Sequence, residues 1–211
     1  MKKFLSVIAV LFLMSSNALA LSDSEYKELM KDSDFAQAEE ALAQAWKEAK
    51  KMPPKFFERL QKEQREWVSH ERDKRAADLM KSDKKLSKAG AYALETGSRA
   101  EAIISAVYAS QLTPNDLADL FFICDDDGKY IELSINFEGG KITAEFSGND
   151  GNTIWQADGK LSENVLTLSN EKGSASITFW NMSYPIVDSD KNLKASGVNI
   201  DGKYHERVTA F

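Results

Sequence analysis

Two hydrophobic periods divide the chain. From Ser22 to about Ser110 apolar residues recur every three to four positions, and from Ile131 onward they alternate with polar ones. The first period predicts helices and the second strands. Ser22 or Ser24 can cap a short helix carrying Tyr26, Leu29 and Met30. Asp32-Ser33-Asp34 supplies a second cap, before a stripe of Phe35, Ala38, Leu42, Ala45 and Ala49 with Trp46 beside it. Met52-Pro53-Pro54 ends that helix, because proline stops a preceding helix and is tolerated at a first helical position. A third helix runs from near Pro54 to about Lys81, with Phe57, Leu60, Trp67, Val68 and Leu79 as its stripe. A fourth begins near Lys84 and carries Leu86, Ala89, Ala93, Thr96, Ala100, Ile103 and Val107. Short connections favour antiparallel neighbours, so these helices read as a small up-and-down bundle.

Thr113-Pro114 opens a short helical turn to about Asp119. Beyond it, Ile131, Leu133, Ile135 and Phe137 alternate with Glu132, Ser134 and Asn136. Ile142, Ala144 and Phe146 alternate with Thr143, Glu145 and Ser147. Asp127-Gly128, Gly139-Gly140 and Asn149-Asp150-Gly151 separate these runs as hairpin turns. Further strand candidates are 152–159, 164–169, 173–180, 193–200 and 203–210. Asn181 to Asn192, with Pro185, reads as a loop over one rim. Of the 11 glycines, all but Gly90 and Gly97 lie in this half. The expected fold class is α+β: an N-terminal helical bundle followed by a C-terminal antiparallel β-meander, closing as a small barrel or sandwich.

The opening residues, MKKFLSVIAVLFLMSSNALA, have a basic start, a short apolar run and an Ala-x-Ala ending. That is the pattern of a secretory signal peptide cleaved after Ala20. The expected organisation is therefore a signal peptide over 1–20, a helical domain over 21–113 and an acidic β domain over 114–211. The protein is expected to be periplasmic or secreted, with no stable membrane insertion after cleavage. Cys124 is the only cysteine. It allows no internal disulfide, so packing must hold the fold. It is read as a buried small apolar residue, with an intermolecular bridge as the alternative.

Charge is unevenly placed. Residues 21–113 carry 17 Lys+Arg and 17 Asp+Glu, whereas residues 114–211 carry 8 and 16, a net charge of −8. This sign argues against a nucleic-acid partner, which needs cations to neutralise phosphates. The acidic half would attract a basic partner, with acidity for solubility alone, common in exported domains, as the leading alternative.

The sequence offers little for catalysis. His70 and His205 have no clustered ligands nearby. Asp125-Asp126-Asp127-Gly128 fails as a calcium loop, because setting Gly128 at the sixth place puts Ile123 at the first. That run reads as a turn. Neither a nucleophile motif nor a phosphate loop is present. The expectation is a protein that is not an enzyme, with no catalytic or metal residues and no cofactor.

The densest run is LQKEQREWVSHERDKRA, Leu60 to Ala76. Gln64 lies on the apolar stripe between Leu60 and Trp67, and Glu71 falls near the same face, flanked by Arg72 and Arg75. Polar groups on a buried face need partners. Thr96 and Arg99 on an antiparallel fourth helix could provide them, making a polar clasp. The alternative is a recognition surface. With LETGSRAEAI at 94–103 and ALAQAWKEAKK at 41–51, the run resembles the N-terminal domain of the lysozyme inhibitor LprI family over about residues 23–108. The residues that carry the resemblance are Leu60, Gln64, Arg65, Trp67, Arg72 and Asp73, followed by Thr96, Arg99 and Ala100. Family cysteines are replaced here by Ala76 and the Ala91–Ala93 region, so the disulfides that the family implies are gone. FFICDDDGKYIELSINF (121–137) is similar to the first hairpin of the C-type lysozyme inhibitor barrels, and Ala195–Gly197 is similar to their Ser-Gly loop.

These resemblances imply an exported helical protein whose relatives include lysozyme inhibitors. The expected function is a non-enzymatic binding protein of lysozyme-inhibitor type, with lysozyme or another basic envelope protein as partner. The alternatives are a carrier whose barrel holds a small apolar ligand, or an envelope structural protein.

Overall fold

The computed structural model describes residues 21–125 and 129–206. The expected signal peptide, the Asp126–Gly128 part of the first turn and residues 207–210 of the last expected strand lie outside them. The chain is α+β and forms two compact units. One comprises residues up to Lys47 together with Phe57–Glu101; the other comprises Glu48–Phe56 together with Ala102 onward.

Five helices open the chain: α1 (Asp23–Leu29), α2 (Ser33–Ala49), α3 (Pro54–Glu66), α4 (Arg72–Ser82) and α5 (Lys88–Ala109). Their starts follow from side-chain caps. The Ser22 hydroxyl accepts from the Glu25 N–H at 3.3 Å, while the Glu25 carboxylate accepts from the Ser22 N–H at 3.1 Å. Asp32 accepts from the N–H groups of Asp34 and Phe35. The fourth expected helix starts at Lys88 and not near Lys84. Ser87 is the reason: its hydroxyl accepts from the Gly90 N–H at 2.9 Å, leaving Lys84 and Lys85 in the turn.

The core of the helical unit is built from Leu21, Leu29, Phe35, Ala76, Ala91 and Tyr92. Phe35 stands edge-on between Tyr26 and Tyr92, with centroids 5.8 and 6.4 Å away. Lys88 reaches Glu25 at 3.0 Å and ties α5 to α1. The stripe of α3 begins at Phe56, which is buried, with Phe57 only half-buried on its flank against Trp46. Phe56 belongs to the other unit, where its ring packs against Trp180 at 5.5 Å.

The β unit is a nine-stranded antiparallel meander: β1 (Leu120–Cys124), β2 (Ile131–Glu138), β3 (Lys141–Gly148), β4 (Thr153–Ser162), β5 (Val165–Asn170), β6 (Gly173–Thr178), β7 (Ile186–Ser189), β8 (Gly202–Lys203) and β9 (His205–Glu206). Each of β1 to β8 pairs with its neighbour in sequence, save that the chain passes from β8 to β9 without pairing them. The stretch 202–206 acts as a strap: Gly202 and Lys203 pair with Val187 and Ile186 of β7, and His205 and Glu206 pair with Ile123 and Phe122 of β1. The sheet is thereby nearly closed into a barrel. Inward positions fill it, among them Phe122, Leu133, Phe146, Trp155, Leu166, Ile177, Phe179 and Tyr204. The Phe146 ring meets Trp155 at 5.8 Å and Tyr204 at 6.0 Å.

Two local expectations fail here. The expected loop 181–192 contains β7, whose Val187 is buried. The expected strand 193–200 is instead the short helix α6 (Lys191–Ala195) and an irregular run. Asp190 decides the matter, since its carboxylate caps α6 at the Leu193 N–H (2.7 Å) and also accepts from the Ser174 N–H and hydroxyl on β6. Leu193 is buried from α6, and Val198 and Ile200 are buried from the irregular run that follows.

Gly159 shows how tightly the barrel is packed. A Cβ there would lie 2.7 Å from Leu166 Cδ1 and 3.0 Å from Leu168 Cδ2. Gly159→Val is therefore expected to cost ~1–3 kcal/mol by overpacking, read as a lower urea midpoint for the Trp155 environment; an unchanged midpoint refutes the close packing. A second expectation concerns acid. The Ser22 hydroxyl, then Lys88, lower the Glu25 carboxyl from 4.5 to about 2. A depressed folded value means that its stabilising contribution is present above 4.5 and is lost as pH falls toward 2. Glu25→Gln is expected to reduce the acid sensitivity of the helical unit in that window, measured by circular dichroism against pH.

Candidate functional site

The densest polar set lies inside the helical unit, where α3, α4 and α5 meet. Between α3 and α4 the helix takes one π-turn, Trp67–Glu71, in which the Arg72 N–H donates to the Trp67 carbonyl. A π-turn inserts one residue relative to α-helical phase. In a regular helix Glu71 would share the face of Trp67, as the expected stripe has it. The extra residue instead carries Arg72 onto that face, and Glu71 moves to the flank, where it pairs with Arg75. The buried row thus reads Leu60, Gln64, Trp67, Arg72, Ala76. At the turn the Ser69 hydroxyl donates back to the Arg65 carbonyl at 2.7 Å.

Arg72 is only 4% exposed. Its guanidinium lies over the Trp67 ring at 5.6 Å and the Tyr92 ring at 5.8 Å, and its Nε donates to Asp73 at 3.2 Å. Trp67 Nε1 donates to Glu95 Oε1 at 2.7 Å. Arg99 Nε donates to Gln64 Oε1 at 2.8 Å. The antiparallel pairing of α3 with α5 sets these levels, with Gln64 against Arg99 and Trp67 against Glu95.

The electrostatics follow from enclosure. Burial, then Asp73 at its hydroxyl, push Tyr92 up to about 12. Burial lowers Arg99 from its ordinary value, against the pull of Glu63 and Glu71. Burial raises the Glu39 carboxyl on α2, opposed by its bond from Tyr26 and by Arg72. Thr96 is fully buried. Its hydroxyl and one terminal nitrogen each of Arg72 and Arg99 have no hydrogen-bond partner among the described residues.

Of the motif residues, Leu60, Gln64, Trp67, Arg72, Asp73, Thr96 and Arg99 line this interface and Ala100 is buried, whereas Arg65 is exposed and takes no part through its side chain. Two members were not foreseen, Tyr92 and Glu95. Their signal was present, because both sit at helical spacing from Thr96 and Arg99. Gln64, Trp67, Arg72, Glu95 and Arg99 are each engaged by a neighbouring side chain, so the arrangement locks helices together.

The remaining candidates are dispersed. His70 is exposed, with its ring nitrogen 2.7 Å from the Ser69 hydroxyl and 3.4 Å from Glu66. His205 on β9 bonds to Asp125 at 3.2 Å. Cys124 is buried and free, and Gly202 passes so close that a Cβ would lie 2.9 Å from its sulfur. Among the described residues no three His, Cys, Asp or Glu side chains are grouped to hold a metal ion, and no helix is long and apolar enough to cross a membrane. Comparison with models of protein families, with curated proteins and with solved structures finds no match to this chain.

The clasp makes a graded expectation. Trp67→Phe keeps an aromatic ring but removes the donor to Glu95 and leaves space where the larger indole stood, and is expected to cost ~1–3 kcal/mol. Arg72→Ala removes the charge between two rings and strands Asp73, and is expected to cost ~3–5 kcal/mol. Arg65→Ala is expected to stay within about 0.5 kcal/mol. Thermal unfolding of the three variants checks the order, and an equal loss for Arg65→Ala would refute it.

Proposed function

We propose that the protein is an exported binding protein of lysozyme-inhibitor type, akin to the LprI family in its helical unit, that blocks a cationic muramidase by docking rather than by catalysis. The charge of the second half carries this reading: residues 114–211 hold a net −8 on a β unit whose interior is taken up by its own apolar side chains. The carboxylates among the described residues of this unit therefore lie outside that interior, where they act on a basic partner through long-range attraction and complementarity. The opening twenty residues support export, through their basic start, apolar run and Ala-x-Ala ending. The motif residues support kinship and not contact, because nearly all of them are consumed in holding α3, α4 and α5 together.

A small-molecule carrier needs an open apolar interior. Here Phe146, Trp155 and Phe179, each no more than 2% exposed, occupy that space, so nothing favours the carrier over the docking protein.

The mature chain is expected to inhibit a basic lysozyme in a turbidity assay. Inhibition should weaken as salt rises from about 20 to 300 mM, because screening shortens the reach of surface charge. Full lysozyme activity in the presence of a large excess of the protein at low salt would overturn the proposal.

A further inference from the structure

The strand register says which part of the barrel surface suits a cationic partner. On β1 the outward positions are Phe121 and Ile123, since Phe122 and Cys124 are buried. Phe121 stands opposite Ser134 of β2, and Ser134 stands opposite Glu145 of β3. Ile123 stands opposite Glu132. Directly opposed residues in an antiparallel sheet share a face, and neighbouring strands lie about 4.8 Å apart. An apolar pair on β1 therefore adjoins Glu132 and Glu145 on one outer surface, with Asp125 at its end.

Two further observations single out this surface. Phe121 is 51% exposed, and of the large apolar side chains exposed by more than a third among the described residues it alone stands on a strand. The small Ser134 opposite leaves its ring uncovered. The strands also differ in the charge they carry themselves, although Asp188 of β7 stands opposite Ser176 and Lys160 of β4 opposite Thr167. The outward positions of β5 and β6 are Val165, Thr167, Ser169, Ser174, Ser176 and Thr178, with no charge among them. The carboxylates on the Phe121 side are held in place by hydroxyls: Tyr130 donates to Glu132 at 2.8 Å and Thr153 donates to Glu145 at 2.6 Å. His205, opposite Ile123, is turned to Asp125.

We infer that the outer face of β1–β3, with Phe121 as its apolar anchor beside Glu132 and Glu145, is the surface on which a cationic protein docks through Arg or Lys side chains. This rests on the binding function proposed above and adds the place. A partner's Arg or Lys has an apolar stem and a charged head. The stem lies on the Phe121 and Ile123 side chains, and the head reaches the carboxylates one or two strands away. Such a centre, aromatic and rimmed by charge, is the usual anatomy of a binding hot spot. The partner's positive charge is what selects it over the neutral β5–β6 face.

The test measures the affinity of the full mature chain for a basic lysozyme by calorimetry, with thermal unfolding as the control for folding. Phe121→Ser removes the anchor. Ser134→Lys adds one positive charge beside it, and Thr167→Lys adds the same charge on β5. The expected result is a loss of about tenfold or more for Phe121→Ser and for Ser134→Lys, and a change within about twofold for Thr167→Lys. Wild-type affinity in both Phe121→Ser and Ser134→Lys would overturn the surface while leaving the binding function standing. An equal loss in Thr167→Lys would show charge acting without a place, and would also overturn it. No binding by the wild-type chain would remove the function and the surface together. Phe121→Ser keeps the test decisive if Ser134→Lys fails to fold, because it only shortens a half-exposed side chain.

Discussion

A buried guanidinium is costly unless its charge is met within the protein, and the helical unit is arranged around meeting that of Arg72, although one of its terminal nitrogens has no hydrogen-bond partner among the described residues. The π-turn brings Arg72 to the interior face. Once there it needs flat, electron-rich neighbours and a carboxylate, which Trp67, Tyr92 and Asp73 supply. Enclosing Trp67 strands its indole N–H, and Glu95 takes it. Enclosing Gln64 one turn away calls for Arg99. Each partner creates the next requirement, so the alignment of α5 against α3 and α4 is fixed by hydrogen bonds as well as by shape. In a chain whose only cysteine is free, this network gives the bundle the registration that a covalent link would otherwise provide.

The β unit answers a different constraint, that a meander has two open edges. The strap at 202–206 covers both, and its approach is set by two aspartates. Asp190 holds the start of the 190–201 segment to Ser174 and to α6. Asp201 holds its end, accepting from the Ser189 N–H and hydroxyl and pairing with Lys194 at 2.6 Å. Burial pushes the Asp201 carboxyl upward, but the bonds from Lys194 and Ser189 outweigh it and keep it below its ordinary value. Tyr204 then turns inward and donates to the Ile200 carbonyl at 2.8 Å. The surface outside the barrel is free to differ from side to side, and it does: acidic around Phe121, hydroxyl-bearing across β5 and β6.

Much of this was legible in the sequence. Ser22, Asp32 and the Pro53-Pro54 corner announce helix ends through short-range chemistry, and the alternation from Ile131 onward announces strands facing a single core. The partnership of Gln64 with Arg99 was legible too, because antiparallel helices bring those levels together. What the sequence hid has common causes. The π-turn breaks the 3.6-residue count, so Arg72 and Glu71 exchange places relative to a regular helix. Val198 and Ile200 are spaced as on one face of a strand, yet the Asp190 cap turns the start of their segment into α6 and leaves the rest irregular. Phe121 sits in an apolar run, and the burial of its neighbours Phe122 and Cys124 is what shows that it faces outward.

The strap has a further consequence, for the order in which the β unit assembles. β2 follows β1 closely in sequence, but the other neighbour of β1, β9, arrives only after the whole meander has been traversed. Contacts between residues so distant in sequence form slowly, since the chain entropy of closing the loop must be overcome first. Until β9 docks, one side of β1 has its backbone donors and acceptors unpaired. In that interval the Leu120–Cys124 edge is a template for a second chain, and the time taken by residues 202–206 to dock sets how long the folding protein is exposed to self-association.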